Sequence, residues 1–149
     1  MSIKEAKLDD IAQIQIVRNS VKENTLSNSA LVTDDDCAEF ISVRGKGWIY
    51  EINGKIVGFA IVDLKDNNVW ALFVHPDFEK RGIGRQLHDK MITWYFTETK
   101  QRIWLSTAFN TRAESFYRRA GWIENGRHGE FEIKFEMTYS YWTDKMGYK

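Results

Sequence analysis

Residues 69–87 read VWALFVHPDFEKRGIGRQL, and the rest of the chain can be arranged around this stretch. The run 69–74 combines β-branched and aromatic residues, which is typical of a buried strand. Pro76, the single proline of the chain, stops that strand because it has no amide hydrogen to give a sheet. Apolar side chains then recur at helical spacing, which predicts a helix from residue 83 to about residue 99.

The turn between this strand and this helix has the features of an anion site. Gly82 and Gly84 allow close approach to the first turn of the helix, where unpaired N–H groups and the positive end of the dipole attract anions. Lys80, Arg81 and Arg85 add positive charge. The alternative is an ordinary strand-to-helix turn in which the glycines only shape the backbone. The turn is neither a P-loop nor a dinucleotide-binding motif, because residues that each of these motifs requires are absent from this sequence.

The length, composition and net charge of the chain limit the classes of protein to which it can belong. A chain of 149 residues with 43% hydrophobic residues predicts one domain with a sizeable core. A formal net charge of zero argues against nucleic acid or an acidic membrane as the main partner. The sequence has no stretch resembling a signal peptide or a membrane span, so we expect a cytoplasmic protein.

Cysteine and histidine usage gives no sign of a metal or a disulfide. Cys37 is the single cysteine and lies in the acidic run DDDCAEF, which raises a thiol pKa, so we expect a buried helical residue rather than a nucleophile. The three histidines have no metal-ligand spacing with Cys37 or with one another. We predict no metal.

The remaining chain predicts alternating strands and helices. The Asn53-Gly54 pair is the strongest short signal for a hairpin and joins two β-rich runs. The predicted elements are strand 3–6, helix 8–21, loop 23–33, a helix capped by Thr33 or Asp34 and ending near 43, strands 48–52, 56–64 and 69–74, helix 83–99, strand 102–107, helix 110–120 ended by Gly121, and an alternating strand 131–139. This order predicts an α+β fold with a mixed sheet flanked by helices.

Two motifs together resemble a known family. PDFEKRGIGRQL resembles the acetyl-CoA-binding motif Q/R-x-x-G-x-G/A of the GCN5-related N-acetyltransferase (GNAT) superfamily, and FNTRAESFYRRAGW resembles its following motif. The resemblance implies a single N-acetyltransferase domain over residues 1–149. It also implies a central, mostly antiparallel twisted sheet of six to seven strands flanked by about four helices. Acetyl-CoA would be the co-substrate. Glu79 departs from the motif, because it stands where Gln or Arg is usual.

The resemblance also implies roles for particular residues. The backbone of residues 72–74 would pair with the pantetheine arm, and the Leu72 N–H would stabilise the oxyanion that forms on the acetyl group. Asn110 would hold the pantetheine, and Tyr117 would face the departing sulfur. The full set of implied donor-binding residues is Leu72, Phe73, Val74, Lys80, Arg81, Gly82, Ile83, Gly84, Arg85, Asn110 and Tyr117.

The acceptor is predicted only as a primary amine of a small molecule or peptide that attacks directly. Glu23, His75, Glu130 or a water chain are the candidate bases. Several aromatic side chains are candidates for an amine pocket, with core packing or a homodimer interface as alternatives: Trp48, Trp70, Tyr139, Tyr141 and Trp142. The alternative function is a non-catalytic acetyl-CoA-binding sensor or regulatory module.

Overall fold

The computed structural model describes residues 2–21 and 32–146. Most of the predicted loop 23–33, with the candidate base Glu23, lies outside the described residues. The chain divides into two compact units, Met1–Tyr95 and Phe96–Lys149.

The first unit is built on four antiparallel strands that pair in sequence order. The strands are β1 (Ser2–Glu5), β2 (Gly45–Ile52), β3 (Lys55–Asp63) and β4 (Asn68–Val74). Asn53 and Gly54 turn the predicted hairpin with φ of 51° and 79°, the left-handed conformation that a two-residue hairpin loop requires at both positions. Eight of the nine β3 residues are buried, as its uniformly apolar sequence predicts.

The helices of this unit begin where capping residues stand. A short 3₁₀ turn, Leu8–Asp10, leads into α1 (Ile11–Ser20). Thr33 caps α2 (Asp34–Glu39): its hydroxyl accepts from the Asp36 N–H while the Asp36 carboxylate accepts from the Thr33 N–H. The chain continues through a π-helical turn, Phe40–Arg44, into β2.

Cys37 is fully buried in α2, among the apolar side chains that α1 and the strands contribute, so the prediction of a buried helical cysteine is confirmed. Burial raises the pKa of the Cys37 thiol, and Asp34 and Asp36 raise it further, against the opposing effect of Arg18. The thiol therefore stays protonated near neutral pH.

The boundary between the units falls within α3 (Ile83–Glu98). The second unit has β5 (Ile103–Ala108), α4 (Arg112–Arg119), β6 (Ile123–His128), β7 (Glu132–Met137) and α5 (Tyr139–Met146). β7 lies between β5 and β6 and pairs antiparallel with both. Gly121, with φ of 97°, follows the end of α4 as predicted.

The end of the chain differs from the prediction. The predicted strand 131–139 is shorter, because Phe131 lies in a turn with 76% of its surface exposed and Tyr139 begins α5. Within β7 the predicted alternation holds, since Ile133, Phe135 and Met137 are buried. Neither β6 nor α5 was predicted.

The α+β prediction is confirmed, with seven strands and five α-helices in the described residues. In those ranges no helix combines the length and apolar character needed to cross a membrane. Of the aromatic pocket candidates, Trp48 and Trp142 are core residues of their own units, with 1% and 9% of their surfaces exposed.

Candidate functional site

Strand β4 carries a β-bulge immediately before the predicted donor-binding residues. Ile61 pairs with Ala71 and Val62 pairs with Val69, so Trp70 is an extra residue on β4. Beyond the bulge the pairing is regular, with Leu72 opposite Ala60 and Val74 opposite Gly58. Residues 72–74 are each half-buried.

The direction of the Leu72 amide follows from this pairing. The His75 N–H donates to the Val57 carbonyl at 2.8 Å, so it points toward β3. Backbone N–H groups alternate in direction along a regular strand, so Phe73 also points toward β3, whereas Leu72 and Val74 point away from it. The N–H groups of Leu72 and Val74 thus point away from β3, toward the other edge of β4.

The turn after β4 is held by local hydrogen bonds. The His75 Nδ1 accepts from the Asp77 N–H at 3.1 Å and caps the 3₁₀ turn Pro76–Phe78. The Arg81 guanidinium carbon lies 5.1 Å from the centre of the Phe78 ring. These contacts set the path of the chain into the glycine-containing loop.

Two left-handed residues shape that loop. Lys80 and Gly82 have φ of 63° and 80°, on either side of Arg81. Left-handed residues next to a helix start turn successive N–H groups into one concavity, which is the backbone geometry of an anion site. The first intrahelical bond runs from the Gln86 N–H to the Gly82 carbonyl at 3.1 Å. The loop thus has the conformation expected of a phosphate cradle.

A close contact between the start of α3 and β3 depends on Gly58. A Cβ at Gly58 would lie 3.0 Å from Leu87 Cδ1 and 3.3 Å from Ile83 Cγ2. The first turn of α3 can therefore pack directly on the strand because residue 58 has no side chain. A glycine within an apolar strand is the single sign of this role in the sequence.

Of the cations near the loop, Arg85 has a fixed partner. Its Nε donates to Asp89 Oδ1 at 3.1 Å, and the same oxygen lies 2.9 Å from His88 Nδ1. Desolvation tends to raise the pKa of Asp89, but His88 and Arg85 together lower it below its usual range. Asp89 therefore stays ionised and directs Arg85 along the helix, while Lys80 and Arg81 are exposed.

Asn110 is positioned in the second unit by its own helix. It has φ of 60°, a conformation that asparagine tolerates, and its side chain is exposed. Its N–H donates to Glu114 Oε1 at 2.7 Å, and Glu114 Oε2 accepts from Arg118 Nε at 3.0 Å. Thr111 caps α4 by accepting from the Glu114 N–H. The backbone of Asn110 is thereby fixed.

Tyr117 lies on the buried face of α4, with 7% of its surface exposed. Its ring centre is 5.2 Å from that of Phe116, 5.8 Å from that of Trp122 and 6.4 Å from that of Phe135. Burial strongly raises the pKa of the Tyr117 hydroxyl. The side chain is a phenol, not a phenolate, over the whole physiological range.

The base candidates have different surroundings. Because the His75 Nδ1 accepts from the Asp77 N–H, the neutral ring carries its proton on Nε2. Glu130 is exposed in the turn between β6 and β7. His75 lies in the chain between residues 72–74 and residues 80–85, whereas Glu130 belongs to the second unit.

The predicted donor residues thus lie in two groups. Residues 72–74 and 80–85 belong to the first unit, and Asn110 and Tyr117 belong to the second. Within the first unit, β4, the 3₁₀ turn Pro76–Phe78 and the start of α3 follow one another directly in the chain. Residues 72–74 and 80–85 therefore belong to one continuous segment.

The family model for the Acetyltransferase (GNAT) family matches residues 9–122. The match spans most of the chain and includes both motifs, so the protein belongs to the GNAT acetyltransferase family. The resemblance inferred from the two motifs is confirmed.

Solved structures of GNAT proteins share the fold. The PaiA N-acetyltransferase of Thermoplasma acidophilum, crystallised with coenzyme A, is 16% identical, with 93% of this chain and 100% of that chain covered and a TM-score of 0.79. A GNAT-family acetyltransferase from Staphylococcus aureus Mu50 is 19% identical, with 93% and 98% covered and a TM-score of 0.78. The ribosomal-protein-S18-alanine N-acetyltransferase of Escherichia coli is 17% identical, with 93% of each chain covered and a TM-score of 0.74. At these identities the similarity concerns the fold.

Proposed function

We propose that this protein is an acetyl-CoA-dependent N-acetyltransferase that moves the acetyl group to a primary amine by direct attack. Membership of the GNAT family supports acetyl transfer in general. The observation that carries the proposal is the loop before α3, where left-handed Lys80 and Gly82 lead into a helix start that carries three nearby cations. This is a site for a phosphorylated ligand such as acetyl-CoA.

The pyrophosphate would be held mainly by the backbone. The N–H groups of residues 81–84 at the helix start supply donors and the positive end of the α3 dipole. Lys80, Arg81 and Arg85 add charge that offsets Glu79, the carboxylate at the usual Gln or Arg position. A backbone cradle tolerates such a side-chain change better than a site built from side chains.

The pantetheine arm would lie along β4 as an added strand does. The outward N–H of Val74 would pair with an amide of the arm. The outward N–H of Leu72 would donate to the acetyl carbonyl oxygen and stabilise negative charge as the tetrahedral intermediate forms. Asn110 would hold the arm through its exposed side-chain amide.

In the reaction the acceptor nitrogen would attack the carbonyl carbon, forming a C–N bond while the C–S bond breaks. The nitrogen gives up a proton and the sulfur leaves as a thiolate that takes one up. Tyr117 would donate a hydrogen bond to that sulfur. An unperturbed phenol already has a pKa about 1.5 units above that of a thiol, which makes full proton transfer uphill by about 2 kcal/mol. Burial raises the Tyr117 pKa further, so stabilisation of the thiolate by a hydrogen bond is the role that fits.

Deprotonation of the acceptor is the larger energetic problem. An alkylammonium has a pKa of about 10.4, so generating the free amine at neutral pH costs about 4–5 kcal/mol. Water-mediated transfer to a base would lower the barrier, and an acceptor with a lower pKa, such as an α-amine at about 7.7–8.0, would need little help. A low-pKa acceptor is therefore the simplest match to a site in which His75 is committed to a cap.

A panel of amines assayed for acetyl-CoA-dependent thiol release tests this proposal. The panel contains amino acids, peptide N-termini, polyamines and aminoglycosides. We expect turnover with at least one class, and we expect Tyr117→Phe to lower kcat by about tenfold or more while the Kd for acetyl-CoA changes little. Acetyl-CoA binding without turnover above background for any amine would favour the non-catalytic binding module instead.

A further inference from the structure

A hydroxyl and a carboxylate are in direct contact on the sheet of the second unit. The Ser106 hydroxyl of β5 donates to Glu132 Oε1 of β7 at 2.9 Å, and both side chains are partly exposed. In the part of the chain that the structure describes, the other oxygen, Glu132 Oε2, accepts no hydrogen bond. A neutral donor thus fixes one oxygen of this carboxylate, and the second oxygen can accept from a ligand.

The two faces of this sheet differ in how they are covered. On one face the buried Phe135 of β7 lies 6.4 Å, centre to centre, from the ring of Tyr117, so α4 packs there. Side chains alternate along a strand, so Glu132 and Ser106 belong to the opposite face. That face is partly exposed, whereas buried side chains fill the face under α4. An acceptor amine would therefore approach from the side of Glu132.

Glu132 also lies at the end of the sheet that leads to Asn110. It stands directly opposite Ala108, the last residue of β5. The Thr111 hydroxyl donates to the Ala108 carbonyl at 2.9 Å, so the turn that carries Asn110 folds back on this strand end. Chain geometry places the Cα atoms of Glu132 and Asn110 within about 13 Å of each other. The carboxylate is thus at the same end of the sheet as the residue proposed to hold the pantetheine arm.

A second carboxylate on the same face has its own partners. Glu136 Oε1 accepts from Asn125 at 2.8 Å and from Arg102 at 3.3 Å, and Oε2 lies 3.5 Å from the Lys134 ammonium. Desolvation tends to raise the pKa of Glu136, but these three partners together lower it below its usual range. Glu136 is therefore neutralised by the chain itself and has a structural role.

The position of Lys134 shows that this face accommodates an alkylammonium. Its Nζ lies 5.5 Å from the ring centre of Trp104, within the range of a cation–π contact, and close to the Glu136 carboxylate. The residues directly across the strands from Glu132 are an alanine and His128, which supply no permanent positive charge. The chain thus provides an ammonium for one carboxylate of this face and leaves the other to a ligand.

We propose that Glu132, oriented by Ser106, binds the amine of the acceptor and takes the proton that its nitrogen releases. This inference rests on the proposed acetyl transfer and names the residue that accepts the proton. The neutral amine attacks the carbonyl carbon, and the C–N bond forms while the C–S bond breaks. The nitrogen becomes more acidic as this bond forms, so a carboxylate is a sufficient base at that stage. Glu132 then returns the proton to solvent, and the thiolate takes one up from solvent.

Removal of the carboxylate tests this role. Glu132→Gln keeps the size of the side chain and an acceptor for the Ser106 hydroxyl, but it cannot take a proton. We expect kcat for the best amine of the panel to fall about hundredfold in the thiol-release assay, with little change in the acetyl-CoA Kd. Ser106→Ala should lower kcat about tenfold, and Ser106→Thr, which keeps the hydroxyl, should restore most of it.

Two further variants separate proton transfer from damage to the fold. Formate added to Glu132→Ala should restore part of the lost activity, because a small carboxylate can take the vacated place; a structural role would give no such rescue. Glu136→Gln makes the same change of charge on the same strand and face, and its kcat should remain close to that of the unmodified protein. The Tm of each variant is measured alongside. An equal loss of kcat in Glu136→Gln and Glu132→Gln would overturn the inference.

The outcomes distinguish this inference from the proposed function. Turnover that survives undiminished in Glu132→Gln overturns the role of Glu132 while acetyl transfer stands. If the unmodified protein turns over no amine, the enzyme assignment fails, and calorimetric binding of the same amines to protein saturated with coenzyme A is the second readout. Binding weakened about tenfold or more by Glu132→Gln would then support the amine site. Unchanged binding, or no binding of any amine, overturns the inference.

Discussion

At the scale of single residues, Tyr117 shows how burial decides a chemical role. Its ring is packed among Phe116, Trp122 and Phe135, so ionising the hydroxyl would place a charge in an apolar site. Its position in the motif predicts that it faces the sulfur, but the sequence alone carries no information on how strongly the fold favours the protonated form. The buried phenol is suited to donating a hydrogen bond over a wide pH range.

The buried environment of Tyr117 predicts how kcat/KM depends on pH. Because the folded-state pKa of Tyr117 is raised, the hydroxyl keeps its proton as the pH rises to about 10. We expect kcat/KM for the acceptor to rise as the amine loses its proton and then to stay level up to about pH 10. A basic fall with a midpoint below pH 9 that disappears in Tyr117→Phe would contradict the assignment. The measurement is a pH–rate profile of both proteins.

A second prediction concerns Glu114, which we treat as a positioning residue for Asn110. Backbone hydrogen bonding to Asn110 and the ion pair with Arg118 lower the pKa of Glu114, so its carboxylate is ionised wherever the protein is assayed. Glu114→Ala removes both contacts, and we expect KM for acetyl-CoA to rise about fivefold with little change in kcat. Glu114→Gln keeps an acceptor for the Asn110 N–H and should restore part of the affinity.

Arg119→Ala on the same helix is the matched control, since Arg119 is exposed and lies outside this network. An equal rise in KM for Arg119→Ala and Glu114→Ala would show that any change in α4 has this effect. Steady-state kinetics with acetyl-CoA varied at saturating acceptor give the comparison.

At the scale of elements, sequence predicts those whose pattern is local. The Asn53-Gly54 hairpin, the Thr33 cap and the alternation within β7 each have a signal in a few adjacent residues, and each is present in the structure. β6 was missed because IENGRH is polar and every one of its residues is exposed, so no alternation marks it. α5 was missed because its first residue, Tyr139, continues the alternation of β7 across Thr138.

The bulge at Trp70 has no local signal at all. It exists only as a shift of register between β3 and β4, and it determines which face Trp70 and Phe73 share. The role of Gly58 was overlooked for the same reason, because it depends on which element packs against this residue. The parts of the candidate site that belong to a local sequence motif could therefore be predicted. The parts that depend on contacts between elements distant in sequence could not.

The close pairing of β2 with β3 predicts how two glycine substitutions in β2 change the stability of the protein. A Cβ at Gly45 would lie 1.8 Å from the Val62 carbonyl oxygen, so Gly45→Ala must displace backbone. We expect a loss of about 3 kcal/mol in the free energy of unfolding, or about 10 °C in Tm. At Gly47 the nearest atoms are side-chain carbons 3.2 Å away, and Gly47→Ala should cost clearly less. Equal Tm values for the two variants would contradict this account of the pairing.

At the scale of the whole molecule, the two motifs fall in different compact units, Met1–Tyr95 and Phe96–Lys149. The first unit carries the proposed phosphate loop and the N–H groups of β4 that point away from β3. The second carries Asn110 and Tyr117. The family match over residues 9–122 includes elements of both units.

Binding of acetyl-CoA by the loop before α3 is the central claim, and calorimetry of Gly84→Glu tests it most directly. A carboxylate in the first turn of α3 would oppose the pyrophosphate at the helix start. Gly84→Ala is the matched control, because the family motif admits alanine there. We predict that Gly84→Ala keeps acetyl-CoA binding and that Gly84→Glu loses it, with similar Tm values for both. Undiminished binding by Gly84→Glu would contradict the account.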